Sequence, residues 1–250
     1  MTNLIEFAIK IFCTIKAFVE SITFRSLVTP IKCFNYIIFH KGCFDGFTSF
    51  YLFTKSKAYE PKPFIYPDFP GATRLPPEIE GKRVVIMDVA YRPSLLKQIA
   101  EKAEQVLFLD HHQTHEAEIR ELALSPPHQI VFRNDRCGAT LVWDYFLEGK
   151  MRRPRFLDYI EDNYLGRWKI PETLPFIAGL EVRHKLVPTF ENLKAWDQLL
   201  KPEYLESLIS RGKIFEEQKN YLIQKMAPKE IAMVIEELML RKPGLKASQE

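Results

Sequence analysis

Short apolar runs alternate with helically periodic stretches through the first 150 residues. Tyr36-Ile37-Ile38-Phe39, Val84-Val85-Ile86-Met87, Val106-Leu107-Phe108-Leu109 and Gln129-Ile130-Val131-Phe132 are near-continuously apolar, and Phe64 to Tyr66 adds a shorter segment. A strand with one wet face alternates apolar and polar side chains, whereas a strand covered on both faces does not, so these runs predict a parallel sheet. Helices are expected between them: around Phe47, Phe50, Tyr51 and Phe53, from Pro93 to Ala103, and from Thr140 to Phe146. Pro93 suits a first helical position, where a missing N–H costs nothing. Residues 113 to 127 read as a polar helical turn stopped by Pro126-Pro127. Strand and helix in this rhythm predict an α/β fold: a doubly wound, mainly parallel sheet flanked by helices, followed by a helical C-terminal segment.

The character changes beyond Lys150. Phe156 to Trp168 reads as helix, Pro171 and Pro175 as interruptions, and Phe190 to Leu240 as almost all helix, with an apolar stripe of Leu205, Leu208, Ile209, Phe215 and Leu222. The 60–80 stretch holds Pro61, Pro63, Pro67, Pro70, Pro76 and Pro77 and reads as extended segments and turns. At the other end, Leu4, Ile11, Ile15, Phe18 and Ile22 would share one face of a helix, opposite Asn3, Glu6, Lys10 and Thr14. The expected division is an amphipathic helical extension over 1–30, an α/β domain over 31–188, and a helical linker or truncated second domain over 189–250.

Composition narrows this little. The chain has 250 residues, 46% hydrophobic and 27% charged, which suits a soluble globular protein, and its net charge of +3 does not argue for nucleic acid or membrane. Residues 1–28 contain no run able to span a bilayer and no secretory pattern. A membrane contact there is disfavoured, because acids are mixed with the lysines on its polar face. The four cysteines, Cys13, Cys33, Cys43 and Cys137, form no CxxC pair and fit a reducing cytoplasm. A homodimer is compatible with everything read so far.

Chemistry enters at the strand ends. The first run leads into His40 with Asp45 in the same loop, the next into Asp88, and the third into Asp110-His111-His112. Ligands bind outside the carboxyl ends of strands in open α/β sheets, which is where these groups fall. Singly, each has a plainer explanation: Asp88 as a helix cap, or a histidine as part of the core. His115, His128 and His184 are read as partial-core residues, and Asp158 and Glu161 as members of a solvated helix face. Together, carboxylates and imidazoles without a thiolate cluster suit Mn²⁺ or Mg²⁺ better than structural zinc. Two such ions sharing Asp88 would clamp both oxygens of an in-line displacement at phosphorus. Asp162 would reach in from a later helix.

The order of His40-x-x-Cys43-x-Asp45-Gly46, Asp88, Asp110-His111-His112, Cys137-Gly138-Ala139 and Glu161 to Trp168 resembles the DHH phosphoesterase superfamily, in particular its oligoribonuclease-like (nanoRNase-type) branch. The resemblance covers about residues 35 to 225, and its most specific element is the Asp-His-His triplet after an apolar strand. It implies a dinuclear site, usually Mn²⁺-loaded, that hydrolyses phosphodiester or phosphoanhydride bonds. His40, Asp45, Asp88, His111 and Asp162 match ligand positions, with Asp88 bridging. Asp110 matches an orienting or additional-ligand role. Among the catalytic positions, Asp88 and Asp110 are joined by His112, which matches the residue that faces the substrate phosphate. Cys137 and Gly138 open a helix whose amides would receive a phosphate oxygen, and Arg136 and Arg167 would contact substrate. Arg133 and Lys169 are read as surface charges.

The expected substrate is a phosphorylated small molecule, such as a small nucleotide, or a short nucleic-acid end. The pattern does not choose between oligonucleotide, cyclic dinucleotide and pyrophosphate. Cys43 stands where the family commonly has an aspartate, and Tyr164 where relatives often have a second acid. No glycine-rich, histidine-containing loop of a DHH-associated domain follows Pro202. The alternative expectation is therefore a truncated relative, weak in catalysis, that binds nucleotide or metal or serves in an interaction.

Overall fold

The computed structural model describes residues 33–226. The expected 1–30 extension, on which a membrane contact is disfavoured, and the helical continuation past Met226 lie outside the described residues. Five parallel strands form one sheet in the order β2-β1-β3-β4-β5: β1 Phe34–His40, β2 Tyr59–Asp68, β3 Arg83–Met87, β4 Gln105–Asp110 and β5 Gln129–Phe132. β2 is longer than the short segment expected, and it runs through Pro61, Pro63 and Pro67. It can do so because it is an edge strand bonded on one side to β1, where a residue without an N–H leaves the outer side unpaired.

Helices cover both faces. Ile37, Phe39, Val85, Met87, Leu107 and Leu109 point to one side and pack with α1 (Phe44–Phe53), α4 (Gly138–Phe146) and α5 (Phe156–Tyr164). The alternate residues Tyr36, Ile38, Val84, Ile86, Val106 and Phe108 point to the other side, toward α2 (Pro93–Lys102) and the short α3 (Glu116–Glu121). The runs lack polar alternation because both sets are buried. Each fully buried side chain contributes roughly 1.5–3 kcal/mol.

α6 (Thr173–Arg183) was not expected, since Pro175 read as an interruption. Pro175 falls in the first turn, where the backbone N–H has no intrahelical partner and the ring is tolerated. α7 (Phe190–Trp196) and the long α8 (Pro202–Met226) follow. Trp196, Leu199, Leu205, Leu208 and Ile209 belong to the same core as the sheet, so this start of the 189–250 segment is packed against the α/β unit. A Cβ on Gly212 would lie 1.7 Å from the Pro175 carbonyl oxygen, and one on Gly179 2.6 Å from the Leu208 oxygen. The two glycines let α6 and α8 cross with their backbones in near contact. The far half of the expected stripe differs, because Phe215 and Leu222 are exposed. Among the described residues no helix is long and apolar enough to cross a membrane.

Candidate metal centre

The carboxyl ends of β1, β3 and β4 lie side by side, and the loops leaving them bring the expected acids and imidazoles together. Asp88 is the hub. It follows β3 with a positive φ of 63°, a left-handed conformation that costs a non-glycine residue roughly 1–2 kcal/mol and that clusters at functional sites. Its Oδ2 lies 3.4 Å from His40 Nδ1 and 3.7 Å from Cys43 Sγ, while its Oδ1 lies 3.1 Å from His111 Nε2. Two sets of atoms able to serve as metal ligands therefore meet on one carboxylate: His40, Cys43 and Asp88, and Asp88, His111 and His112. Within each set the atoms are within 4.8 Å of one another. His40 Nδ1 is buried and has no hydrogen-bond partner. A buried, unpaired nitrogen beside a buried carboxylate is a poor arrangement for stability and a good one for a cation. The donors present fit a divalent metal on this ground.

Asp45 is fully buried and lies 3.4 Å from His111 Nε2. Its Oδ2 accepts from Gly138 N at 2.8 Å and its Oδ1 from Ala139 N at 2.7 Å. The N-terminus of α4 thus holds a carboxylate of the chain itself. This corrects the expected use of those amides for a substrate phosphate, and with it Gly138 as a substrate contact. Cys137 is also withdrawn from substrate, since it is fully buried with its thiol 3.4 Å from Thr140 Oγ1. Each Asp45 oxygen keeps a second lone pair, so Asp45 remains at hand on the His111 side.

Electrostatics within the cluster follow from burial and proximity. Burial disfavours charge on Asp88, but the hydrogen bond with His111 and the nearby His40 imidazole outweigh it and hold the carboxyl below its usual range. Burial and the Asp88 charge push Asp45 upward. Burial opposes protonation of His111, yet the hydrogen bonds and charges of Asp45 and Asp88 raise it to about 10. Cys43 is driven up by burial, then by Asp88 and Asp45, and is a neutral thiol. His112 Nδ1 is 2.7 Å from Asp110 Oδ1. Burial lowers the His112 pKa, and the Asp110 hydrogen bond reverses this and raises it. Asp110 is buried beside His112, whose side chain is 28% exposed.

Asp162 is not brought into either ligand set. It accepts from Lys169 N at 2.9 Å, Ile170 N at 3.1 Å and Thr173 Oγ1 at 2.6 Å, and so ties α5 to the turn that begins α6. Sequence reading also missed Glu161. It is buried, not on a solvated face, and its Oε1 lies 2.9 Å from Arg167 Nη1 and 3.6 Å from Arg136 Nη1. The signal was in the pattern, because Leu157, Ile160, Glu161 and Tyr164 share one helical face. Arg136 also pairs with Asp144. Both guanidiniums remain about one-third exposed just before α4 and after α5. The Tyr164 hydroxyl accepts the Phe44 N–H at 3.0 Å, capping α1 where Cys43 offers no side-chain cap. Asp158 and Arg133 lie at the surface as expected, Arg133 paired with Asp135, and Lys169 is exposed. His184 packs in the core against Trp196 and Tyr204.

No protein-family model and no solved structure matches the chain. It is similar to "Uncharacterized protein R106" of Acanthamoeba polyphaga mimivirus, with 25% identity over 149 residues. The match covers 60% of this chain and 33% of that relative, so the matched region spans about a third of the viral protein's length.

Proposed function

We propose that this protein is a metal-dependent phosphohydrolase that cleaves phosphodiester or phosphoanhydride bonds at a dinuclear Mn²⁺ or Mg²⁺ site. The observation that carries the reading is the division of Asp88, whose one oxygen faces His40 and Cys43 while the other faces His111. Asp88, His40 and Cys43 would hold one ion. Asp88, His111 and Asp45 would hold the second. Such ions neutralise charge on phosphoryl oxygens and activate water. The chain's own contribution is threefold. Asp110 fixes the His112 ring and favours its protonated form, which suits it to donate a proton to a leaving oxygen. The Glu161 carboxylate holds Arg136 and Arg167 as a pair toward an incoming phosphate. The α4 amides keep Asp45 fixed beside His111. Free thiols at Cys43 and Cys137 fit a reducing, cytoplasmic setting.

The test is hydrolysis of a chromogenic phosphodiester by purified protein with Mn²⁺. Asp88→Ala is expected to abolish it, and undiminished turnover in that variant would assign the activity elsewhere. One observation favours a second reading. Cys43 brings sulfur into the first ligand set, and sulfur suits a softer cation than Mn²⁺. On that reading the protein holds one tight zinc-type ion and binds nucleotide without fast turnover. Calorimetric titration separates them, since the phosphohydrolase takes up two Mn²⁺ ions and the binding protein one or none.

A further inference from the structure

The rim that carries the metal cluster continues onto β2. His40 and Asp68 are register partners at the ends of β1 and β2. Lys41 N donates to the Asp68 carbonyl at 2.8 Å, and Gly71 N donates to the Ala90 carbonyl at 3.3 Å. The Tyr91 hydroxyl donates to Asp68 Oδ2, and Phe69 N donates to Asp68 Oδ1 at 2.9 Å. The segment after β2 is thereby stitched to both loops that deliver His40 and Asp88. It surrounds a hollow of about 570 Å³ lined by Tyr66, Asp68, Phe69, Thr73 and Arg74.

Phe69 is the anomaly on this wall. It is 54% exposed, with the Lys41 ammonium 5.2 Å from its ring centroid. A half-exposed ring with the Lys41 ammonium near it, on a hollow that Arg74 also lines, suits a flat base joined to a negatively charged phosphate. Strands lie about 4.8 Å apart, so the rim from Asp88 to Asp68, two strands away, spans about 10 Å. That distance suits a nucleotide reaching from its phosphate to its base and exceeds a bare phosphate.

We infer that this hollow is a nucleobase subsite, in which the base of a nucleotide stacks on Phe69 and its phosphate reaches back along the rim toward Asp88. The inference rests on the phosphohydrolase reading and extends it by naming a nucleotide, not inorganic pyrophosphate, as the substrate class. Asp68 is already engaged by the Tyr91 hydroxyl and the Phe69 amide, so its role is to hold the wall in place.

The test is calorimetric binding of adenosine monophosphate and of inorganic phosphate in the presence of Mn²⁺. Wild-type protein is expected to bind the nucleotide at least ten times more tightly than phosphate. Base–aromatic stacking is worth about 1–3 kcal/mol, so Phe69→Ala should weaken nucleotide binding roughly 5- to 150-fold and leave phosphate binding alone. Phe69→Trp should restore it. Tyr221→Ala removes another exposed aromatic beside a lysine, on α8, and should change nothing. Equal affinity for nucleotide and phosphate, or nucleotide binding unaltered by Phe69→Ala, overturns the subsite even if Mn²⁺-dependent hydrolysis is observed. Nucleotide binding that depends on Phe69, in a protein that takes up no Mn²⁺ and hydrolyses nothing, keeps the subsite and overturns the phosphohydrolase reading.

Discussion

Replacing Gly138 with alanine tests whether Asp88 is the hub. The added Cβ would sit 2.6 Å from both Cβ and Oδ1 of Asp88, where ordinary contact requires 3.4 Å or more. The two groups must therefore separate by most of an ångström. Gly138 starts α4 without a positive φ, so alanine brings no backbone strain and gains up to about 1 kcal/mol of helix propensity. Against this stands an overpacking cost of about 1–3 kcal/mol, which leaves the metal-free fold destabilised by roughly 0–2 kcal/mol. The larger effect falls on Asp88, whose contacts at 3.1 Å to His111 and 3.4 Å to His40 depend on its position. Disturbed support of metal ligands typically costs about 10–100-fold in affinity. On the proposed metal reading, Mn²⁺ at one hundred times its Kd would stabilise the wild-type protein by about 2.7 kcal/mol, a rise in Tm of roughly 5–10 °C for a domain of this size. At the same Mn²⁺ concentration Gly138→Ala should lose about half to five-sixths of that rise. Gly149→Ala is the contrasting control. Its Cβ meets nothing within 4 Å but its φ is +71°, so it should lower stability by roughly 1–2 kcal/mol and keep the full response to Mn²⁺. A Gly138→Ala protein whose melting responds to Mn²⁺ as wild type does would refute the placement of Asp88 at the centre.

Three further outcomes follow from the geometry. Asp110→Asn removes the charge that raises the His112 pKa, so hydrolysis should fall about 10–100-fold and the alkaline limb of its pH profile should move to lower pH; an unmoved limb would remove His112 as the acid. Asp162→Ala should lower stability by about 3 kcal/mol in urea unfolding, because three donors lose a charged acceptor, while folded protein still binds Mn²⁺ normally; loss of binding in folded protein would return Asp162 to the ligand set. His184 is buried, and burial, with the Arg183 charge beside it, lowers its pKa from 6.5 to about 4. A group protonated more readily when unfolded supports the fold fully above pH 6.5 and loses that support as pH falls toward 4, about 3 kcal/mol in all. His184→Gln should flatten the pH dependence of stability across that window, and an unchanged slope would assign it to other groups.

The sheet and the candidate ligands at its strand ends were legible because burial on both faces leaves no polar alternation, and because a carboxylate or imidazole after such a run has few structural uses. His40, Asp88, His111 and His112 converge as expected for that reason. Other features depended on partners distant in sequence. Asp162 looks like a ligand by its position, but its oxygens are taken by backbone groups of Lys169 and Ile170, which no side-chain pattern records. Likewise, Gly138 and Ala139 serve Asp45, from a loop more than 90 residues earlier, and not a substrate. Glu161 read as solvent-facing because charge outweighed its position on the apolar face of α5. Pro175 hid α6 because the ring's tolerance in a first turn depends on where the helix begins, and β2 was shortened by prolines that only its edge position makes harmless.

The Tyr164 cap on Phe44 has a consequence for the order of assembly. The hydroxyl and the amide are 120 residues apart, so this cap on the loop bearing Cys43 and Asp45 forms only once α5 has docked. If the centre binds a metal as proposed, uptake that waits on this cap would follow sheet formation in refolding, and in a stopped-flow experiment Tyr164→Phe should delay it without slowing the earlier gain of secondary structure.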